Sequence, residues 1–259
     1  YQTADYKAFL HTVENAGNEM VPHGLQVNLP IPRSTAITYL PLIKAEYAPS
    51  NWIDHSLGGA KDTMGFCSKG WDISDPDYYA LDLLEENGFN KSWSYEDADK
   101  ELELNYWGFD HHIVFYNDHL KLPLSGNHIA LWKSSDKPLY RGWLNIAKII
   151  RNCDIVIAHE YLGATGGAST RESLNGDTGK YTRTYYSIGD GDYRITSGFD
   201  ALLNNIAEKK LSGQIWNPTA TDFVEYFKLL KNITIELTDA NTIVVTNNNS
   251  AVVNGFSLL

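Results

Sequence analysis

The chain has 259 residues and carries 32 acidic against 21 basic side chains, a formal charge of −11. That length buries a full core without disulfide staples, and the negative balance argues against nucleic acid and anionic membrane as partners. No apolar run reaches the ~18 residues of a membrane span, and the two cysteines, Cys67 and Cys153, stand in no metal-ligand spacing.

In chain order, residues 4–16 place Phe9, Leu10 and Val13 at helical spacing, with Gly17 where a C-terminal cap belongs. "EMV" is a short apolar strand ended by Pro22 and His23. Residues 34–47 read as a helix with Ile37, Leu40, Ile43 and Tyr47 on one face; Pro41 predicts a kink or a late start. "NWIDH" and "DTMGFCS" are strand candidates. "SDPDYYALDLLEENG" predicts a helix with a cap at Ser74 or Asp75, Pro76 in its first turn and Gly88 at its end. "NKSWSY", "HIVFYND" and "HIALWKS" predict further strands, and residues 139–151 an amphipathic helix. "CDIVIAH" is a continuous run rich in Ile and Val, the pattern of a strand buried on both faces. Residues 163–194, rich in Gly, Ser, Thr and Tyr, predict a long surface loop. Residues 197–211 and 219–230 are helical, and "NITIELTD" and "NTIVVTN" alternate around Asp239–Asn241 as a hairpin.

Helices alternating with short apolar strands predict an α/β fold with parallel strands, and a barrel fits this length. The expected division is an α/β barrel over residues 1–230 and a C-terminal β segment, a hairpin or the start of a β module, over 231–259. In such barrels chemistry gathers at the C-terminal ends of strands. His23, His55 and His159 each follow a short apolar run, so they are expected to converge at one end of the barrel. Each alone reads as readily as a packed structural histidine; three in equivalent places point to a site. Asp110, His111 and His112 ("FDHH") precede their strand and fit that end less well. On the same strand placement Cys67 and Cys153 are expected at opposite ends of the barrel, beyond the ~7 Å Cα limit of a disulfide. The chain holds 7 Trp and 16 Tyr, a richness that suits rings stacked on sugar faces, although any single ring serves equally as a core anchor. Trp71, Tyr185 and Tyr186 are the candidate substrate-binding rings, the two tyrosines from the loop that follows His159.

Several stretches resemble the polysaccharide deacetylase superfamily, which includes the nodulation-factor and chitin deacetylases. "ENAGNEMVPHGL" is similar to the region where a helix ends in a short "A-G-[HN]-E-[IM]" strand leading to a metal-binding His. "GFCSKGWDISDPDYYALDLLEENGF" resembles the middle region, and "DIVIAHE" the last motif, an apolar strand ending in His. The resemblance spans roughly residues 4–216. It implies a distorted (β/α) barrel and a divalent metal, usually zinc, serving hydrolytic removal of acetyl from N-acetylated sugars. Position by position, His23 matches a metal ligand and His159 the general acid. The pattern also departs from the family. The Asp-Asp strand expected before residue 4 is not in the sequence, Val27 stands where the second metal His belongs, and Cys67 follows Phe66 where an Arg is usual. Asp54 and His55 are the residues that could supply the missing carboxylate and ligand.

The expected function is therefore a metal-dependent deacetylase acting on an N-acetylated polysaccharide, extracellular or at the cell surface. The alternative is a catalytically degenerate barrel that binds glycan or serves as a structural module. A glycoside hydrolase using Glu160 and Asp54 ranks last, because paired-carboxylate chemistry does not need a histidine beside each acid.

Overall fold

A four-stranded sheet organises the larger part of the computed structural model, which describes residues 3–25, 31–53, 70–93, 114–116, 120–132, 146–152, 155–157, 185–189 and 192–255. Strands β1 (Asn51–Ile53), β2 (Lys91–Trp93) and β4 (Ala130–Trp132) run parallel, and β3 (Val114–Phe115) closes one edge antiparallel to β4. The order is β1-β2-β4-β3. Beyond β1, His23 forms a parallel bridge to Ile53, so the chain at residues 22–23 extends the sheet. Each new parallel segment is thus added on the same side of the last. Among the described residues the result is a mixed α/β sheet and not a closed barrel.

Register explains how the sheet is buried. Trp52, Ser92 and Leu131 are aligned partners on one face. That face packs on α2 (Arg33–Tyr47) and α3 (Leu81–Glu86) through Ala36, Leu40, Ile43, Leu81 and Leu84, with Phe89 edge-on to Trp52 at 5.7 Å between ring centroids. In α2 the buried positions 36, 40 and 43 follow the helical repeat. The helix starts at Arg33, so the late start that Pro41 suggested is not found, and Pro41 lies inside the helix. It is solvent-exposed and so is Ile37, so the carbonyl left without its usual amide can reach water.

Helix α3 is shorter than its sequence predicts. The chain from Asp72 to Tyr79 is a succession of turns, with Asp72 Oδ1 accepting from the Ser74 amide and the Asp75 carbonyl accepting from Tyr78 and Tyr79. The Ala80 amide is taken by the Gly70 carbonyl at 2.7 Å, and Arg33 donates to the Tyr79 carbonyl at 2.6 Å. These distant partners occupy backbone groups that a longer helix would need. Its end is as expected, at Gly88 with φ of +78°, a conformation that favours glycine.

Arg33 also grips Asp82 with both guanidinium arms, at 2.7 and 2.6 Å. The hydrogen bond from Arg33, opposed by burial and helped by the Leu83 amide, holds the Asp82 carboxyl below its ordinary range. A depressed folded-state pKa stabilises the fold above the unfolded value of about 3.9, and the contribution is lost as pH falls through the folded value. Asp82→Asn is therefore expected to flatten the acid limb of a urea-midpoint profile below about pH 4. An unchanged limb would remove Asp82 from the acid response.

Helix α6 (Ala220–Leu230) lies across the strands. Thr221 meets Asn51 at the start of β1, Glu225 meets Lys91 at the start of β2, and Lys231, just past the helix, donates to the Val114 carbonyl in β3. Ten residues of helix advance ~15 Å, which matches the ~14 Å across four strands spaced ~4.8 Å apart. Thr219 caps the helix by accepting from the Asp222 amide. Strands β7 (Ile233–Asp239) and β8 (Thr242–Asn247) form the expected hairpin. Its two faces differ: Ile235 and Leu237 pair with Val245 and Ile243, whereas Thr234 pairs with Thr246. Helix α1 (Ala4–Asn15) ends at Gly17 as its sequence predicts and is tied to α2 by Lys7 and Glu46 at 2.6 Å. Phe9, expected on its buried stripe, is 58% exposed.

The chain divides into two units. The elements above belong to the unit made of Tyr1–Glu96, His112–Trp132 and Pro218–Leu259; Asp97–His111 and Lys133–Asn217 make up the other. In the second unit, α4 (Ile146–Asn152) packs on α5 (Ser197–Leu211) through Ile146, Phe199 and Leu202, and Thr196 caps α5. Here the structure corrects the long loop expected over 163–194. Residues Tyr185–Gly189 (β5) and Asp192–Ile195 (β6) pair as an antiparallel hairpin. The overlooked signal is the Gly-Asp-Gly at 189–191 between Tyr-rich flanks, a tight-turn signature. Of "CDIVIAH", residues 155–157 are described and are half-buried.

Candidate functional site

The C-terminal ends of the parallel segments form one edge of the sheet, and the expected site draws on that edge. His23 is placed there by backbone contacts. The Ile53 amide donates to the Pro22 carbonyl at 3.0 Å, and the bridge sets His23 beside Ile53. Asp54 and His55 follow Ile53 directly in sequence. The His23 residue is exposed.

Glu19 anchors the segment that carries His23. Its carboxylate accepts from the Thr221 amide at 2.9 Å, the Thr221 hydroxyl at 2.5 Å and the Asn51 side-chain amide at 2.8 Å. A carboxylate at the first turn of α6 also complements the helix dipole. Asn51, 0% exposed, passes the network on by accepting from Trp132 Nε1 at 3.1 Å. Lys91, 4% exposed, is satisfied by Glu225 at 2.8 Å, Asn90 and Ser50. Burial pulls the Glu225 carboxyl up, but hydrogen bonds from Lys91 and Lys228 outweigh it and leave the group below its usual range. Glu19→Ala leaves the Thr221 amide without its acceptor and takes from the Asn51 side-chain amide one of its two acceptors, with Thr221 Oγ1 remaining. The expected loss is about 2 kcal/mol in urea unfolding, with Glu19→Gln losing less because one acceptor oxygen remains. A change within ~0.5 kcal/mol for Glu19→Ala would remove the anchor role.

Two residues at this edge escaped sequence reasoning. Trp93 and Trp132 are register partners at the C-terminal ends of β2 and β4, aligned with Ile53 on the face opposite the α2–α3 core. Both are 8% exposed. The available signal was the W at the third position of each strand, repeated in "KSW" and "ALW".

Of the other expected site residues, Trp71 is half-buried and packs against the apolar cluster between the sheet and α2–α3. Tyr185 and Tyr186 lie in β5, paired with Ile195 and Arg194. Asp54, His55 and His159 fall outside the described residues, as do Cys67, Cys153 and the "FDHH" stretch. Among the described residues no cluster of three His, Cys, Asp or Glu is arranged to hold a metal ion, and no helix is long and apolar enough to cross a membrane. No protein-family profile, no curated protein and no solved structure matches this chain.

Proposed function

We propose that the chain is a metal-dependent hydrolase of the polysaccharide deacetylase type, removing acetyl groups from an N-acetylated polysaccharide outside the cell or at its surface. The observation that carries the reading is the pairing of residues 22–23 with Ile53. It sets His23 beside Ile53, the residue that precedes Asp54 and His55 in the sequence. The stepwise addition of parallel segments, from residue 23 through β1 and β2 to β4, also supports a distorted (β/α) barrel as the complete fold.

The donor set fits a zinc-like ion: His23 and His55 offer imidazole nitrogens and Asp54 a carboxylate, a combination suited to borderline-soft divalent metals. The ion, when bound, would polarise the acetyl carbonyl. The chain's own groups do the proton work. Asp54 accepts the proton of the attacking water, and His159 returns one to the leaving amine nitrogen as the C–N bond breaks. Trp71, Tyr185 and Tyr186 supply ring faces for sugar. Zinc-supplemented protein is expected to release acetate from N-acetylglucosamine hexamer, with one free amine per acetate. Val27, at the position of the second family histidine, favours a second reading, a degenerate barrel that holds glycan without cleaving it. Hexamer binding that His23→Ala weakens, with no acetate release and no zinc retained, would establish that reading in place of the first.

A further inference from the structure

We propose that a cleft at the opposite, N-terminal end of the parallel strands is a binding site for an uncharged saccharide. The cleft has a volume of about 590 Å³, within the ~300–1,000 Å³ range of small-molecule sites. It is built from the residues that lead into β2 and β4, together with Tyr116 after β3 and Lys228 of α6. Because β3 runs antiparallel to β4, Tyr116 falls at this end of the sheet and not at the His23 end.

The chemistry of the walls selects the ligand. Tyr116 is 45% exposed and presents a ring, with the His128 ring edge-on at 6.2 Å and the Lys231 ammonium 4.8 Å from its centroid. Burial, with the Glu225 charge adding to it, raises the Tyr116 hydroxyl pKa and keeps the group a neutral donor. The charged groups of the cleft are already engaged. Glu85 accepts from the Leu124 and Ser125 amides at 2.7 and 2.6 Å, and the Lys228 ammonium is 3.0 Å from Glu225. An ionic ligand would compete with these pairs. Two exposed carboxamides remain for hydroxyl groups. Asn90 has committed its oxygen to Lys91, which leaves its NH₂, and the Asn127 side chain has no hydrogen-bond partner among the described residues. An aromatic face beside amides and internally paired charges matches a polyhydroxylated neutral ring, which needs one stacking surface and several hydrogen bonds.

The site does not depend on the deacetylase reading, since it shares no residue with it. The test is calorimetric titration with N-acetylglucosamine tetramer, cellotetraose and inorganic phosphate, on wild type, Tyr116→Ala, Asn127→Ala and His23→Ala. At least one tetrasaccharide is expected to bind, and Tyr116→Ala to weaken it roughly tenfold. Asn127→Ala, on an exposed turn, guards against a folding defect and is expected to weaken binding severalfold. His23→Ala is expected to retain the affinity at the cleft, and Asn127→Ala to retain acetate release wherever wild type shows it. The proposal is overturned if neither tetrasaccharide binds up to about 10 mM, if both cleft variants bind like wild type, or if phosphate alone binds.

Discussion

His23→Ala is expected to lose most of its bound zinc, whereas His159→Ala keeps the metal and loses turnover. With His23 gone, His55 is the one remaining imidazole in the proposed set, too few strong donors to hold zinc through dialysis. His159 is assigned to proton transfer, so its removal should cost about 10²–10⁴-fold in kcat with the metal still present. The pairing that extends the sheet uses the backbone of residues 22–23 and Ile53, so His23→Ala leaves that pairing in place. Its far-UV circular dichroism should match wild type. Elemental analysis after exhaustive dialysis, paired with acetate release, reads both effects. Stoichiometric zinc in His23→Ala would remove His23 from the ligand set, and equal zinc loss in both variants would break the division of roles.

The second large effect concerns the core. Trp52→Ala is expected to destabilise the larger unit by about 3–5 kcal/mol. Trp52 is fully buried, edge-on to Phe89 and packed in the cluster that joins the sheet to α2 and α3. Removing it opens a cavity that short strands and fixed helices cannot refill. Trp52→Phe should behave very differently. Trp52 Nε1 is buried with no hydrogen-bond partner among the described residues, and such an orphan donor costs roughly 1–3 kcal/mol. Phenylalanine removes the donor and retains a ring, so lost volume and lost penalty offset to within about 1 kcal/mol. Urea unfolding followed by circular dichroism separates the two variants. A Trp52→Phe loss as large as that of Trp52→Ala would mean that indole volume alone governs the site.

Local signals made much of the secondary structure legible. The stops of α1 and α3 at Gly17 and Gly88 follow from glycine's access to positive φ. Helices α5 and α6 begin behind Thr196 and Thr219, whose hydroxyls accept from the Phe199 and Asp222 amides. The β7–β8 hairpin was readable from its alternation around Asp239–Asn241, and Asp239 Oδ1 accepts from the Asn241 amide in that turn. The β5–β6 hairpin carried a comparable turn signal but sits in a stretch whose composition reads as loop.

What the chain determined by itself was the set of elements whose causes lie within a few residues: caps, glycine stops and the Leu40 and Ile43 part of the α2 stripe, on which Ala36 is buried in place of the expected Ile37. Only the tertiary structure decided the strand order, the shortening of α3 by Arg33 and Gly70, and the face on which Trp93 and Trp132 lie. It alone joined Glu19 to Thr221, 202 residues away, across Asn51. The physical reason is the same in each case. A backbone amide, a guanidinium or a buried carboxylate must find a partner once water is excluded. Which partner it meets depends on where folding brings distant segments together, and no local pattern encodes that.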